Sequence, residues 1–337
     1  MPVSNREWQL TTRPVGEPTA ENFAFTTVTV PDPGPGQVLV RNTWLSVDPY
    51  MRGRMSDRRS YTPPFALGET MTGDAVGTVI ASQAPDVPVG ATVSHYKAWR
   101  EYALLDAEHV KVVDTALAPP QTYLGLLGLT GLTAYAAVID AAPVKKGDVV
   151  FVSGAAGAVG SVAGQFAKKL GAAKVIGSAG GPEKARRVVE DFGFDAAIDY
   201  RAGDVLGQLA KAAPEGIVVY VDNVGGGHLQ AALVAMNDHG RIALVGAISQ
   251  YNATGPVPGP SALPLAIGKR LSLRGLIAWD HADLLPELTR NASAWLADGS
   301  LRADETVVDG IEHALDALLA MMRGANTGKM LVRLAQD

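Results

Sequence analysis

Three glycines at a regular spacing follow an apolar segment of strand length, and their backbone could hold phosphate groups. The segment is Val149–Ser153, and Gly154, Gly157 and Gly160 come after it at spacings of three. A helical pattern of apolar residues follows and ends at Gly171. Glycine permits a tight turn, the close approach of a pyrophosphate and the close packing of helix on strand. The N–H groups and partial positive charge of the helix start would then bind the phosphates.

This loop departs at one position from the strict G-x-G-x-x-G spelling of a dinucleotide-binding turn. Ala155 stands where the first glycine would be. Glycine turns between strands and helices are common, so the loop alone is a weak signal, but the order of elements around it favours dinucleotide binding. The residues predicted to bind the cofactor here are Ala155, Gly157, Ala158, Val159 and Gly160.

The same strand-and-helix unit repeats after the loop. Strands rich in Val, Ile and Leu that alternate with helices predict a doubly wound parallel sheet of the α/β class, covered on both faces. Ligands of such sheets bind at the carboxyl ends of the strands. The predicted strands are Lys174–Gly177, Ala196–Asp199, Ile217–Asp222, Gly240–Val245 and Arg270–Leu276, with a helix at Pro182–Glu190.

The first ~120 residues have a different pattern of short strands between Gly/Pro turns, which predicts a small β-barrel. A helix at Glu312–Met322 and a strand at Gly328–Leu334 are expected to return to this domain. We therefore predict a barrel domain of residues 1–122 and 300–337 and a nucleotide-binding domain of residues 123–299, with substrate in the cleft between them. The strands predicted in the barrel are Val38–Trp44, Ala75–Ile80, Gly90–Val93 and Trp99–Leu105.

Composition excludes several classes of function. The 337 residues carry a net charge of −5, which argues against nucleic acid as a partner. The chain has no cysteine, which excludes disulfides and thiol nucleophiles. Prolines and glycines interrupt the longest uncharged segment, residues 115–139, so a buried helix explains it better than a membrane span. No signal segment opens the chain, and we expect a cytoplasmic protein.

Six motifs in this order resemble the zinc-independent medium-chain dehydrogenase/reductases. Within them the chain is most similar to the leukotriene B4 dehydrogenase / prostaglandin reductase group and its bacterial curcumin-reductase-like members. The resemblance implies a GroES-like barrel plus a Rossmann domain, and NADPH-dependent reduction of a carbon–carbon double bond conjugated to a carbonyl. The motifs are Val47–Arg52, Gly128–Tyr135, Ala155–Gly160, Tyr220–Gly226, Gly246–Asn252 and Gly324–Lys329.

The residues after the second predicted strand favour NADP over NAD. An NAD site needs a carboxylate there to bind the adenosine ribose, but Gly177–Gly181 has none before Glu183. Cationic groups follow that suit a 2′-phosphate, although such a helix can also be a solvated face. For Lys184 and Tyr200 the resemblance also implies phosphate contacts. The candidate groups are Lys184, Arg186, Arg187, Tyr200 and Arg201.

A zinc site is not expected. Zinc-dependent relatives use Cys or His beside a Gly-His-Glu stretch, whereas Gly68–Glu69 has no His between its residues. The histidines show neither i, i+4 pairing nor clustering, and His109 and His313 are expected in solvated surface elements. The six are His95, His109, His228, His239, His281 and His313.

Without a metal, a hydroxyl must stabilise the enolate that hydride addition leaves. Tyrosine suits this role, because it donates a hydrogen bond, is neutral at pH 7 and lines apolar clefts. Tyr251 is the first candidate because it follows the fifth predicted strand, Tyr50 is second, and Tyr61 depends on a loop. The ribose hydroxyl of the cofactor could share the role. Each tyrosine could instead serve packing alone.

Two asparagines are further candidates for cofactor binding. Asn223 follows the fourth predicted strand, and Asn326 lies in a glycine-rich turn before the last one. The resemblance implies that both contact the cofactor near the nicotinamide. Asparagine in such turns can also serve only to permit left-handed geometry.

Three functions remain open from the sequence, which does not identify the physiological substrate. An enone or enal reductase is favoured by the tyrosine set, a quinone reductase shares the fold and cofactor, and a non-catalytic nucleotide-binding protein is the third. We also expect a homodimer through the sixth strands of two subunits, whose edge carries Leu271, Leu273 and Leu276.

Overall fold

The computed structural model describes residues 2–334 and divides them into two compact units. The first unit combines residues 2–124, 305–326 and 330–334, and the second combines residues 125–304 and 327–329. Within the described residues, no helix combines the length and apolar character that crossing a membrane would need.

The bounds of the elements are as follows. The strands are β1 (Val3–Leu10), β2 (Phe23–Val30), β3 (Gln37–Ser46), β4 (Ala75–Ser82), β5 (Thr92–His95), β6 (Tyr102–Asp106), β7 (Lys111–Val112), β8 (Val149–Ser153), β9 (Lys174–Ala179), β10 (Ala196–Asp199), β11 (Ile217–Asp222), β12 (Met236–Leu244), β13 (Ser272–Gly275), β14 (Glu305–Asp309) and β15 (Lys329–Arg333). The α-helices are α1 (Tyr50–Arg54), α2 (Leu129–Ala136), α3 (Ala158–Lys169), α4 (Pro182–Glu190), α5 (Val205–Ala212), α6 (Gly226–Ala235), α7 (Leu265–Lys269), α8 (Leu285–Ala297) and α9 (Ala314–Met322).

The second unit is built on a six-stranded parallel sheet in the order β10-β9-β8-β11-β12-β13. Counted along the chain this is the order 3-2-1-4-5-6 of a Rossmann sheet. Its core contains fully buried Phe151, Tyr220 and Ile242. The predicted α/β fold class, a Rossmann sheet with a GroES-like unit, is confirmed.

Some strand ends differ from the predicted ones. Strand β12 begins at Met236 rather than Gly240, and β13 begins at Ser272 rather than Arg270. Arg270 has a φ of +50° and caps the C-terminus of α7, so it cannot belong to an extended strand.

The first unit contains a seven-stranded sheet in the order β14-β15-β3-β4-β5-β7, with β6 paired to β3. Its core gathers Met51, Met55 and Trp99 with Leu315 and Leu318 from α9, so the end of the chain packs with its beginning. Strand β15 runs antiparallel to β3.

The hairpin β1–β2 was not predicted, because polar side chains occupy inward positions of β1. Asn5 and Glu7 are only 1% and 4% exposed. Asn5 Nδ2 donates to Glu7 Oε2 at 2.8 Å, and Thr70 Oγ1 donates to Glu7 Oε1 at 2.6 Å. These hydrogen bonds satisfy the buried polar groups and conceal the apolar alternation that identifies a strand.

Candidate active site

The glycine loop joins β8 to α3 and requires glycine at two positions. Gly154 has a φ of +62°, in the left-handed region that favours glycine. A Cβ on Gly160 would lie 2.3 Å from the carbonyl oxygen of Gly154, so α3 packs directly onto the turn. Gly157 is the N-cap of α3. Gly157, Ala158 and Val159 are partly exposed, which leaves the helix start accessible to a phosphate.

Ala155 contributes to the packing of the loop. It is fully buried, and its N–H donates to the carbonyl oxygen of Ser178 at 2.9 Å. A Cβ on Gly177 would lie 2.7 Å from that of Ala155, so β9 packs against this side chain. Contact between Ala155 and the cofactor stays a prediction, and the observed contacts give the residue a structural role.

The segment Thr327–Lys329 completes the glycine loop from the far end of the chain. Gly328 pairs with Gly157 in a parallel bridge, and its N–H donates to the carbonyl oxygen of Ala156 at 2.7 Å. A Cβ on Gly328 would lie 1.9 Å from the carbonyl oxygen of Asp304, so only glycine fits there. The predicted cofactor contact Asn326 lies two residues before Gly328 in the sequence.

Hydrogen bonds of polar side chains connect the carboxyl ends of β8 and β11. Asn223 Nδ2 donates to the Ser153 carbonyl oxygen at 2.8 Å, and Ser153 Oγ accepts the Asn223 N–H at 3.0 Å. Asp222 Oδ1 accepts the N–H groups of Val224 and Gly225 at 3.0 and 2.8 Å. Sequence reasoning missed Asp222 and Ser153, although a carboxylate at a strand end before glycines is a signal for such a turn. The backbone N–H of Asn223 and one N–H of its side chain thus bond within the protein.

Cationic groups gather beyond the end of β9. Burial lowers the pKa of the Lys184 ammonium on α4, and Arg201 and Arg187 lower it further. A Cβ on Gly180 would lie 2.6 Å from the Tyr200 hydroxyl, so this hydroxyl lies directly over Gly180. Like charges near a half-buried ammonium are unfavourable unless an anion joins them. Lys184 and Tyr200 therefore lie where an anion would be stabilised.

Two of the predicted phosphate ligands have carboxylate partners instead. Arg186 pairs with Glu183 at 2.6 Å and also with Glu190, and Arg187 pairs with Asp191 at 2.7 Å and also with Asp304. The solvated-face interpretation holds for Arg186, whose side chain is 52% exposed. The Arg201 guanidinium makes no ion pair within residues 2–334, so it joins Lys184 and Tyr200 as a candidate.

Buried His228 packs against the ring of Tyr200, and sequence reasoning did not identify it as a site residue. The rings of Tyr200 and His228 meet edge to face at 5.4 Å. His228 Nε2 lies 2.8 Å from Ser178 Oγ at the end of β9. Burial lowers the pKa of His228, although Asp222 opposes the shift, so the ring is neutral at pH 7. No sequence signal separates this histidine from an ordinary helical one.

Tyr251 lies at the carboxyl ends of β11 and β12. Its hydroxyl oxygen accepts the Ala247 N–H at 3.3 Å, which leaves the hydroxyl hydrogen available for donation. A Cβ on Gly246 would lie 3.2 Å from that oxygen and 3.3 Å from the carbonyl oxygen of Asn223. The hydroxyl is thus close to the turn after β11.

Tyr50 and Tyr61 lie in the first unit, in different surroundings. Tyr50 begins α1 and is half-buried, and its hydroxyl is 3.0 Å from that of Tyr96. Burial raises the pKa of Tyr50 well above its usual value, and Asp48 and Asp74 raise it further, so Tyr50 keeps its proton. Tyr61 is 65% exposed in a loop.

Comparison with known proteins places the chain in a family. A family model described as the N-terminal domain of oxidoreductase matches residues 6–113, and one described as zinc-binding dehydrogenase matches residues 158–295. The NADPH-dependent curcumin reductase of Escherichia coli (strain K12) is 40% identical over 338 residues, which cover 99% of this chain and 98% of that protein. The chain belongs to the medium-chain dehydrogenase/reductases.

Other members of this family extend the comparison. The NADP-dependent 2-alkenal reductase of Nicotiana tabacum is 38% identical, with 99% of both chains covered. The crystal structure of CurA from Vibrio vulnificus in complex with NADPH is 41% identical, covers 98% of this chain and 100% of its own, and gives a TM-score of 0.94. A Pseudomonas syringae quinone oxidoreductase structure is 25% identical at a TM-score of 0.77, with 98% and 99% covered. The predicted family and its NADP cofactor are confirmed.

One family description names zinc, which makes the metal-binding side chains of this dehydrogenase/reductase relevant. It has no cysteine, and within residues 2–334 no group of three or more His, Asp or Glu side chains could hold a metal ion. His95 Nε2 lies 2.8 Å from Asn42 Oδ1 inside the first unit. Burial, with help from Arg100 and Lys97, lowers the pKa of His95 to about 3. His95 is therefore a neutral structural residue.

Proposed function

We propose that this chain reduces the carbon–carbon double bond of α,β-unsaturated ketones and aldehydes with NADPH as reductant. The observation that carries the proposal is the position of the Tyr251 hydroxyl at the carboxyl ends of two parallel strands, where its oxygen accepts the Ala247 N–H and its hydrogen can be donated. Similarity over the whole chain to a curcumin reductase and a 2-alkenal reductase supports the same chemistry. The reaction takes up the unsaturated carbonyl compound, NADPH and a proton, and releases the saturated carbonyl compound and NADP⁺.

The described residues fit NADPH. The glycine loop would hold the pyrophosphate through the start of α3, which can pack onto the loop because Gly160 has no Cβ. Lys184, Tyr200 and Arg201 would hold the 2′-phosphate, because two cations, Lys184 and Arg201, lie close enough to interact and the Tyr200 hydroxyl can donate a hydrogen bond. The bound cofactor supplies the hydride that is added to the β-carbon. Asn326 would contact the nicotinamide end, and Asn223 would do so through Oδ1 or the second hydrogen of its side-chain amide, since Ser153 takes up the other one.

Negative charge develops on the substrate oxygen as the β-carbon is reduced, and a tyrosine hydroxyl would stabilise it. Tyr251 is the first candidate, because its oxygen already accepts the Ala247 N–H and its hydrogen is left to donate. Tyr50 is the second, since its raised pKa keeps it protonated. Tyr61 is exposed and is the weakest of the three. The α-carbon then takes its proton from water.

Quinone reduction is the second candidate function. It would use the same cofactor, and a quinone oxidoreductase structure shares the fold at 25% identity. The higher identity, 40% and 38%, to the curcumin and 2-alkenal reductases favours the enone reaction. A non-catalytic nucleotide-binding protein would need no hydroxyl donor at the strand ends.

A steady-state screen of NADPH oxidation tests the proposal. Enals, enones, quinones and saturated aldehydes would be supplied in parallel at the same concentrations. We expect turnover with enals and enones, slower turnover with quinones and none with saturated aldehydes. Turnover with quinones alone would select the second function. NADPH binding without turnover of any compound would select the third.

A further inference from the structure

Arg54, at the end of α1, carries a buried charge without a carboxylate partner. Its side chain is largely buried, with the residue 7% exposed, and it makes no ion pair within the described residues. Arg54 Nε donates to the Pro63 carbonyl oxygen at 2.9 Å, and Nη1 donates to that of Thr72 at 3.1 Å. The guanidinium also lies 4.1 Å from the centre of the Phe65 ring. Buried charges are normally paired, so this cation has an electrostatic effect on its neighbours.

The same guanidinium donates to a tyrosine pair. Arg54 Nη1 donates to the Tyr96 hydroxyl oxygen at 3.0 Å, and that oxygen is 3.0 Å from the hydroxyl oxygen of Tyr50. Arginine can only donate, so the hydrogen of Tyr96 is left for the oxygen of Tyr50. Tyr50 then directs its own hydrogen away from the pair. Hydrogen bonds in such a chain polarise one another.

The charge of Arg54 is linked to Tyr50 through the hydroxyl of Tyr96. Asp48 and Asp74 both act on the Tyr50 hydroxyl and raise its pKa. Their negative charge would oppose a substrate oxygen that becomes negative beside that hydroxyl. A cation two hydrogen bonds away would act against this repulsion. Because Arg54 is buried, bulk water screens its effect only weakly.

We propose that Arg54 and Tyr96 are positioning residues that prepare Tyr50 to donate a hydrogen bond to the carbonyl oxygen of the substrate. Arg54 orients Tyr96, Tyr96 donates to Tyr50, and Tyr50 donates to the oxygen on which the enolate charge develops. The inference rests on the enone reduction proposed above and adds two residues to it. No covalent step passes through Arg54 or Tyr96.

The test removes one oxygen with Tyr96→Phe, at a residue that is 40% exposed and can lose its hydroxyl without a core cavity. We expect kcat for an enone to fall about 5- to 20-fold, with KM for NADPH unchanged. Tyr50→Phe should lower kcat by a similar factor. The double variant should lower it little further, because both substitutions interrupt the same chain of hydrogen bonds. Tyr123→Phe is the matched control, since its hydroxyl bonds to the Asp114 carbonyl oxygen in the same unit, outside this chain. It should keep the wild-type rate.

A second readout separates charge stabilisation from a structural defect. Nitroalkenes give an anion that is stable without help, so Tyr96→Phe should slow them less than enones. Equal slowing of both substrates would overturn the proposal, as would a wild-type rate for Tyr96→Phe or additive losses in the double variant. If the wild-type protein oxidises no NADPH with any enone, that result contradicts the proposed function itself and not only the roles of Arg54 and Tyr96.

Discussion

Polar side chains at the strand ends divide into those that shape a turn and those that bring like charges together. Asn223 and Asp222 use their polar groups to shape the turn after β11. Lys184 and Arg201 instead bring like charges together at the end of β9 and β10. The sequence shows only that each residue follows a strand. It could not separate these roles, because they depend on partners distant along the chain.

Lys184→Ala should raise KM for NADPH and leave the kinetics with NADH nearly unchanged. A charge-assisted contact with the 2′-phosphate is worth roughly 1.5–3 kcal/mol, which corresponds to about tenfold or more in kcat/KM. The measurement is kcat/KM for both cofactors. Arg186→Ala is the control on the same helix, because Arg186 is paired with Glu183 and Glu190. Equal losses with NADPH and NADH would show that Lys184 does not contact the phosphate.

Tyr251→Phe should lower kcat and kcat/KM together and leave cofactor binding unchanged. Loss of one oxyanion donor costs about 2.7–4 kcal/mol in well-defined sites. We expect less, on the order of 1–2 kcal/mol or about a 5- to 30-fold loss of rate, because the ribose hydroxyl can share the role. Steady-state kinetics with an enone measures this. A normal kcat with a raised substrate KM would mean that Tyr251 packs against the substrate.

The stability of the first unit should fall as the pH falls, because His95 stays neutral in the folded chain. Its folded pKa is about 3, while a histidine in the unfolded chain titrates near about 6.5. Between these values the unfolded chain binds a proton that the folded chain does not, so the free energy of unfolding decreases with decreasing pH. Urea unfolding at about pH 7 and about pH 5 should show this loss, and His95→Gln should reduce it. The exposed His313 gives the control variant His313→Gln. If the pH dependence of the free energy of unfolding is unchanged in His95→Gln, a group other than His95 causes it.

At the scale of elements, the sequence predicted best where start and stop signals were local. Helix α4 and strands β10 and β11 have the predicted bounds, since Pro182 starts the helix and branched apolar residues form the strands. The β1–β2 hairpin was missed because buried Asn5 and Glu7 break the apolar alternation. Besides bonding to each other, they bond to residues far along the chain, such as Thr70, and no local pattern predicts those contacts.

Gly160→Ala should damage the junction of β8 and α3. Its Cβ would lie 2.3 Å from a backbone oxygen, which cannot move aside as a side chain can. Overpacking of this kind costs typically about 1–3 kcal/mol. Gly227→Ala in α6 is the control, because a Cβ there meets nothing within 4 Å. Urea unfolding and NADPH titration should show a loss only for Gly160→Ala. Equal stability of the two variants would contradict the packing described here.

At the scale of the whole molecule, the edge strand β13 supports the proposed homodimer for a reason other than the predicted one. Leu276 is buried and Leu273 packs against the core, so these apolar side chains do not form the edge. Within the described residues β13 pairs only with β12, which leaves one side of its backbone for a partner. We expect a dimer mass by light scattering at micromolar concentration, and a shift toward monomer for Ser272→Pro. A monomer in the unsubstituted protein would refute this.

Because Gly157 pairs with Gly328, the glycine loop can be completed only after the end of the chain has been synthesised. A ribosome must release residue 328 before the turn that begins at residue 154 acquires its last backbone partners. Domains usually fold as units as they emerge. Here the glycine loop cannot be completed with the rest of its sheet, since more than half of the chain separates the two glycines. A nascent chain that ends at Asp304 would therefore lack part of the predicted cofactor site, and we expect it to bind NADPH more weakly than the full chain.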